Sequence, residues 1–134
     1  MPEITEWDIQ RAFTIWFKGE KWTRGPLAGT WKVEPAAHPN VVAWHTPNGG
    51  HRSEIEAIRF KQIGVEAGIP DYFFLYVGSL YALEFKKPGG SLSEAQSILH
   101  PRLRNAGIRE LSTVDNIVNA KNFVRRHGLV IAGR

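Results

Sequence analysis

Cysteine is absent from this chain, methionine occurs once, and the longest apolar runs, at residues 73–77 and 80–83, fall far short of the roughly 20 residues that span a bilayer. Without cysteine there is no thiol nucleophile, thiolate zinc site or redox pair, and the composition fits a reducing compartment. The first six residues, Met-Pro-Glu-Ile-Thr-Glu, carry acids where a signal peptide would carry lysine or arginine and an apolar stretch. The expectation is a soluble cytoplasmic protein. Acidic residues are also scarce toward the end: residues 86–134 hold 9 basic and 3 acidic side chains, whereas residues 1–85 hold 8 and 10. The basic excess therefore lies in the last third, a distribution that permits binding to a polyanion such as nucleic acid. What is present is ordinary: 134 residues, 43% hydrophobic, enough for one domain that buries about two-thirds of its unfolded surface without staples.

Thr5 and Asp8 resemble a capping box, and Ile9, Ala12, Phe13, Trp16 and Phe17 recur at helical spacing, so a helix is predicted over 6–18. Residues 19–39 contain three Gly, three Pro and the isolated Trp22 and Trp31, which predicts a loop with a short strand at 30–33. That segment could pack, dimerise or stack on bases. A β-branched and aromatic strand at 41–45 leads into the turn cluster Thr46-Pro47-Asn48-Gly49-Gly50. Ser53 and Glu56 open a short helix that Gly64 ends. Two apolar strands at 71–77 and 80–86 flank Gly78-Ser79 as a two-residue hairpin loop. Ser93 with Gln96 caps a helix running toward Gly107 and kinked at Pro101. A strand at 108–111 and a helix opened by Ser112 and Asp115 complete the chain. The expected fold class is α/β, a small mixed sheet flanked by helices.

Alternation on a strand puts Glu84 and Lys86 on one face and Phe85 on the other. With Gly78-Ser79 as the loop, cross-strand partners sum to 157, which pairs Asp71 with Lys86 and Phe73 with Glu84. Asp71 then sits diagonally from Glu84, at about 7 to 8 Å between Cβ atoms, a span two carboxylates can close on a hard cation. A loop of odd length would turn Asp71 to the other face, so the constellation depends on the register. Two carboxylates and a lysine suit Mg²⁺-assisted attack of water on a phosphodiester. The same three residues could also form a half-buried ion pair at a strand end.

The ordered set Pro47-Asn48-Gly49-Gly50, then Gly64-Val65-Glu66-Ala67-Gly68-Ile69-Pro70-Asp71, then Leu83-Glu84-Phe85-Lys86-Lys87-Pro88-Gly89-Gly90-Ser91-Leu92-Ser93-Glu94-Ala95-Gln96 closely resembles the VRR-NUC family of nucleases. That family belongs to the PD-(D/E)XK superfamily, with a restriction-endonuclease-like core. The likeness covers roughly residues 41–112. It implies Asp71 and Glu84 as metal ligands for Mg²⁺ or Mn²⁺, the Phe85 backbone carbonyl as a further ligand, and Lys86 as the catalytic lysine. It also implies Gln96 beside the metal and lysine, a role competing with a cap at the helix start, and Glu6 on the first helix as another ligand. Glu6 falls on the same stripe as Ile9 and Phe13, although an acid there also complements the helix dipole. Stand-alone domains of this kind resemble bacterial or phage-encoded enzymes that cut branched DNA such as four-way (Holliday) junctions as homodimers.

Asn48 adjoins two glycines that would let a phosphate approach the backbone, although Asn-Gly is also an ordinary turn, and Arg52 with His51 fits a phosphate contact. Lys87, Arg102 and Arg104 are the first of a basic series, continued by Arg109, Lys121, Arg125 and Arg126, suited to flanking phosphates or to a solvated helix face. None of the five histidines shows paired metal-ligand spacing. The competing class of function is a non-catalytic basic DNA-binding or assembly module that keeps the nuclease fold.

Overall fold

The computed structural model describes residues 2–47 and 53–134. The expectations for Asn48, Gly49, Gly50, His51 and Arg52 lie outside those residues. Helix α1 (Glu6–Lys18) begins at a full capping box, in which Thr5 N–H donates to Asp8 Oδ2 at 2.9 Å and Asp8 N–H donates to Thr5 Oγ1 at 3.2 Å. The segment after it is more ordered than the sequence suggests. Strand β1 (Glu20–Lys21) pairs antiparallel with β2 (Trp31–Val33) in a separate two-stranded sheet, and Lys21 and Lys32 lie over the rings of Trp31 and Trp22.

The main sheet has the order β3-β4-β5-β6, from strands β3 (Val42–His45), β4 (Tyr72–Tyr76), β5 (Ser79–Phe85) and β6 (Glu110–Val114). β3, β4 and β5 run antiparallel, and β6 lies parallel to β5. Helix α2 (Glu54–Gln62), capped by Ser53, buries none of its residues. Helices α3 (Glu94–Ala106) and α4 (Ile117–Arg126) complete the fold. Alternation along the strands divides the core between two faces. Tyr72, Phe74, Tyr81, Leu83 and Phe85 pack with Ile9, Phe13 and Phe17 of α1 and with Ala120, Phe123 and Val124 of α4. Phe73, Ala82 and Leu111 meet Leu103 and Ile108 on the side of α3. Phe13 is wholly buried and its ring lies 5.3–6.0 Å from those of Phe17, Tyr72, Phe74 and Phe85. Its burial contributes on the order of 2 kcal/mol.

Three boundaries depart from the sequence expectation. The hairpin turn is Val77-Gly78, not Gly78-Ser79, because Tyr76 pairs with Ser79 and the cross-strand partners sum to 155. Both turn residues have positive φ, 48° at Val77 and 76° at Gly78, the signature of the primed turn whose twist suits a two-residue hairpin. The strand expected at 108–111 begins instead at Glu110. Ile108 belongs to the stop of α3: Gly107 takes a left-handed conformation and Ile108 N–H donates to Leu103 O at 3.2 Å. Ser112 is therefore a strand residue opposite Leu83, and Asn116 caps α4 by accepting Asn119 N–H at 2.8 Å. The S-x-x-D pattern looked like a cap, but pairing beside β5 claims its backbone first.

Candidate active site

β5 is an interior strand, flanked by β4 and β6, with α1 and α4 packed on one face of the sheet and α3 on the other. Glu84 and Lys86 are consequently buried, at 1% and 8% exposure. The hairpin slip of two residues preserves parity, so the expected shared face survives while the partners change. One step beyond the Tyr72–Leu83 pair, Asp71 stands directly opposite Glu84 instead of opposite Lys86, and Phe73 pairs with Ala82 instead of Glu84. Asp71 Oδ2 accepts the Phe85 N–H at 2.9 Å, which ties its carboxyl to the strand carrying Glu84. Its backbone carbonyl accepts Thr46 N–H at 2.7 Å and the His45 ring at 2.8 Å, anchoring it to β3 as well.

Burial, then a hydrogen bond and the charge of Asp71, push the Glu84 carboxyl up to about 8, against the opposing pull of Lys86. Lys86 Nζ lies 3.6 Å from Glu84 Oε2, while Glu84 Oε1 is buried with no hydrogen-bond partner. A carboxylate with one oxygen orphaned in a dry site is costly, and a hard cation is the partner that oxygen donors favour. The oxygen donors present would suit a hard divalent cation, and Asp71 and Glu84 are the pair that could hold one. Among the described residues no cluster of three or more histidine and acidic side chains is close enough to hold an ion. Glu6 is exposed, not turned inward with Ile9 and Phe13, yet its charge raises Glu84 further. The ring of Phe85 is fully buried.

Gln96 completes a capping box with Ser93, its Oε1 accepting Ser93 N–H at 2.9 Å. α3 continues through Pro101. The glycines of the G-x-x-x-G run have separate tasks. Gly64, at φ 96°, follows the α2 C-cap, whereas a Cβ on Gly68 would lie 2.5 Å from Ala95 O, so only glycine lets the loop before Asp71 reach the start of α3. His100 belongs to the same contact and was not singled out by spacing. It is fully buried, its Nε2 lies 3.1 Å from Gly68 O, and its Nδ1 has no partner. Burial holds its imidazole below the usual histidine range. The available signal was its i+4 relation to Gln96, which puts both on one helix face.

The basic residues divide by what they touch. Lys87 is exposed beside Glu6 and Trp7, and Arg102 borders a groove between α2 and α3. Arg104 donates to Leu111 O at 3.0 Å, Arg126 pairs with Glu110 at 2.5 Å, and Lys121 and Arg125 lie over Trp16. Among the described residues no helix is long and apolar enough to cross a membrane.

A mixed sheet flanked by helices, with two opposed carboxylates and a lysine at the end of its central hairpin, is a PD-(D/E)XK-like fold. The chain is similar in structure to a VRR_NUC domain protein, at a TM-score of 0.61 and 21% identity, over 92% of this chain and 88% of that one. At that identity the likeness shows the fold alone. No family model matches the sequence, and no curated protein matches it.

Proposed function

We propose that the protein is a divalent-metal-dependent DNA endonuclease, selective for branched DNA such as four-way junctions and active as a homodimer. The observation that carries the hydrolytic reading is the buried Glu84 carboxylate, opposed by Asp71, attended by Lys86 and left with one unpartnered oxygen. Asp71 and Glu84 would hold the ion, with the Phe85 carbonyl as a further ligand. Mg²⁺ or Mn²⁺ held there would supply Lewis acidity toward a phosphoryl oxygen and a water made more acidic at neutral pH. The Lys86 ammonium, desolvated among packed residues, orients the attacking water and offsets charge growing on the phosphate. Gln96, whose Oε1 closes the helix cap, would lend its amide N–H groups as hydrogen-bond donors. Lys87, Arg102 and Arg104, with Asn48 and Arg52, grip flanking phosphates and supply register instead of sequence readout. One subunit carries one such site, and two symmetric cuts across a four-way junction call for a two-fold dimer.

The test is incubation of purified protein with a labelled four-way junction, flap, linear duplex and single strand in Mg²⁺, Mn²⁺ or EDTA. Expected is metal-dependent cleavage favouring the branched substrates and lowered about 10²–10³-fold in Asp71→Asn. A non-catalytic module would bind DNA in wild type and Asp71→Asn alike and cleave none. Identical metal-dependent products from both proteins would refute the site.

A further inference from the structure

Trp7, on the first turn of α1, is 68% exposed, whereas Trp22, Trp31 and Trp44 are 38–43% exposed. Its ring is left in water although an indole can bury about 150–250 Å². It borders an open groove of about 310 Å³ formed by residues 3–7 and Lys87. Two relations tie this groove to the acidic pair. Lys87 directly follows the buried Lys86, one peptide or about 3.8 Å along the backbone. Glu6, next to Trp7, is near enough for its charge to act on Glu84.

The groove is divided chemically. Lys87 offers a cation for a backbone phosphate, while Glu3 and Glu6, lining the same groove, can accept hydrogen bonds from amino and imino groups of a base edge. Arg11 lies over the Trp7 ring at 5.6 Å from its centroid, and the residue as a whole stays 68% exposed, with area to offer a second planar group. Bases in an intact duplex are already stacked and paired, but an unpaired base at a branch can be laid on an aromatic plane. We infer that Trp7 is a stacking platform for an unpaired nucleobase next to the cut, with Lys87 holding that nucleotide's phosphate. This rests on the nuclease reading and specifies how branched DNA is selected.

The experiment compares binding of a fluorescein-labelled forked duplex with single-stranded arms and a blunt duplex of equal length, with Ca²⁺ in place of Mg²⁺ to suppress cleavage. Trp7→Ala should lower the preference for the fork about tenfold, the scale of one lost stacking contact. Trp7→Phe should restore most of it, and Trp22→Ala should leave the ratio as in wild type. A 2-aminopurine in the unpaired arm should be quenched by wild type and not by Trp7→Ala. An unchanged ratio in Trp7→Ala, or equal loss on both probes, would overturn the subsite while wild-type cleavage in Mg²⁺ kept the nuclease reading intact. If wild type neither binds nor cleaves either probe, both fall together.

Discussion

Asp71 reaches across the hairpin to accept the backbone N–H of Phe85 at 2.9 Å, and by that bond its carboxyl faces Glu84 at the buried end of β5. The hydrogen bond holds one carboxyl oxygen of Asp71 in place. Burial first, and then the hydrogen bond and charge of the Asp71 carboxyl, keep the proton on Glu84 far above the ordinary carboxylate range.

That strain predicts a trade between stability and activity. In EDTA, the folded state holds the Glu84 proton up to about pH 8 while the unfolded chain releases it near 4.5. The resulting stabilisation is full below pH 4.5 and is lost as pH rises through 8. Glu84→Gln carries no such titration. Urea titrations in EDTA at pH 9 should find it more stable than wild type by about 1–3 kcal/mol, yet inactive in Mg²⁺. A less stable variant at pH 9 would contradict the orphaned charge.

Asp71→Asn keeps an oxygen that can accept the Phe85 N–H, so the hairpin should fold with a near-native melting temperature. Cleavage should nevertheless fall about 10²–10³-fold, the scale of losing one preorganised electrostatic group. Gel assays of product formation beside circular-dichroism melts separate the two effects.

His100 acts in the opposite pH direction. Its folded value is depressed, so its stabilisation is present above the unfolded value of 6.5 and is lost as pH falls below it. His100→Gln keeps a donor for Gly68 O and has no proton to gain. The stability of wild type relative to this variant should therefore decline between pH 7.5 and 5.5, measured by denaturant titration at each pH. A constant difference would show that the imidazole is not shielded.

Val77 occupies a left-handed conformation at φ 48° while 83% exposed, so the turn bears backbone strain with little packing in return. Asparagine favours this position of a primed turn. Val77→Asn should raise stability by about 1 kcal/mol, read from the denaturation midpoint with an unchanged slope.

Local chemistry was legible wherever it acted over a few residues. α1 begins and ends at the residues its cap and apolar spacing indicate, and the Ser93–Gln96 box opens α3 as expected. The shared face of Asp71, Glu84 and Lys86 was readable too, because a two-residue loop on either side of Gly78 keeps the same parity. The partner of Asp71 was not. Choosing Val77-Gly78 over Gly78-Ser79 requires a β-branched residue at positive φ, a conformation that local propensity disfavours and the pairing of five residues across β4 and β5 imposes.

Sequence by itself determined the composition of the site, the order of elements and the parity that brings two acids and a lysine to one face. Tertiary structure alone decided what those groups experience. Packing on both faces of β5 removes Glu84 and Lys86 from water, the close approach at Gly68 sets α3 and the buried His100 against the loop leading to Asp71, and α1 leaves Trp7 in solvent beside Lys87. Burial and orphaned polar atoms are properties of distant segments brought together, so no local pattern encodes them, and they turn an ordinary acid-and-lysine pattern into a buried, closely opposed set of charges.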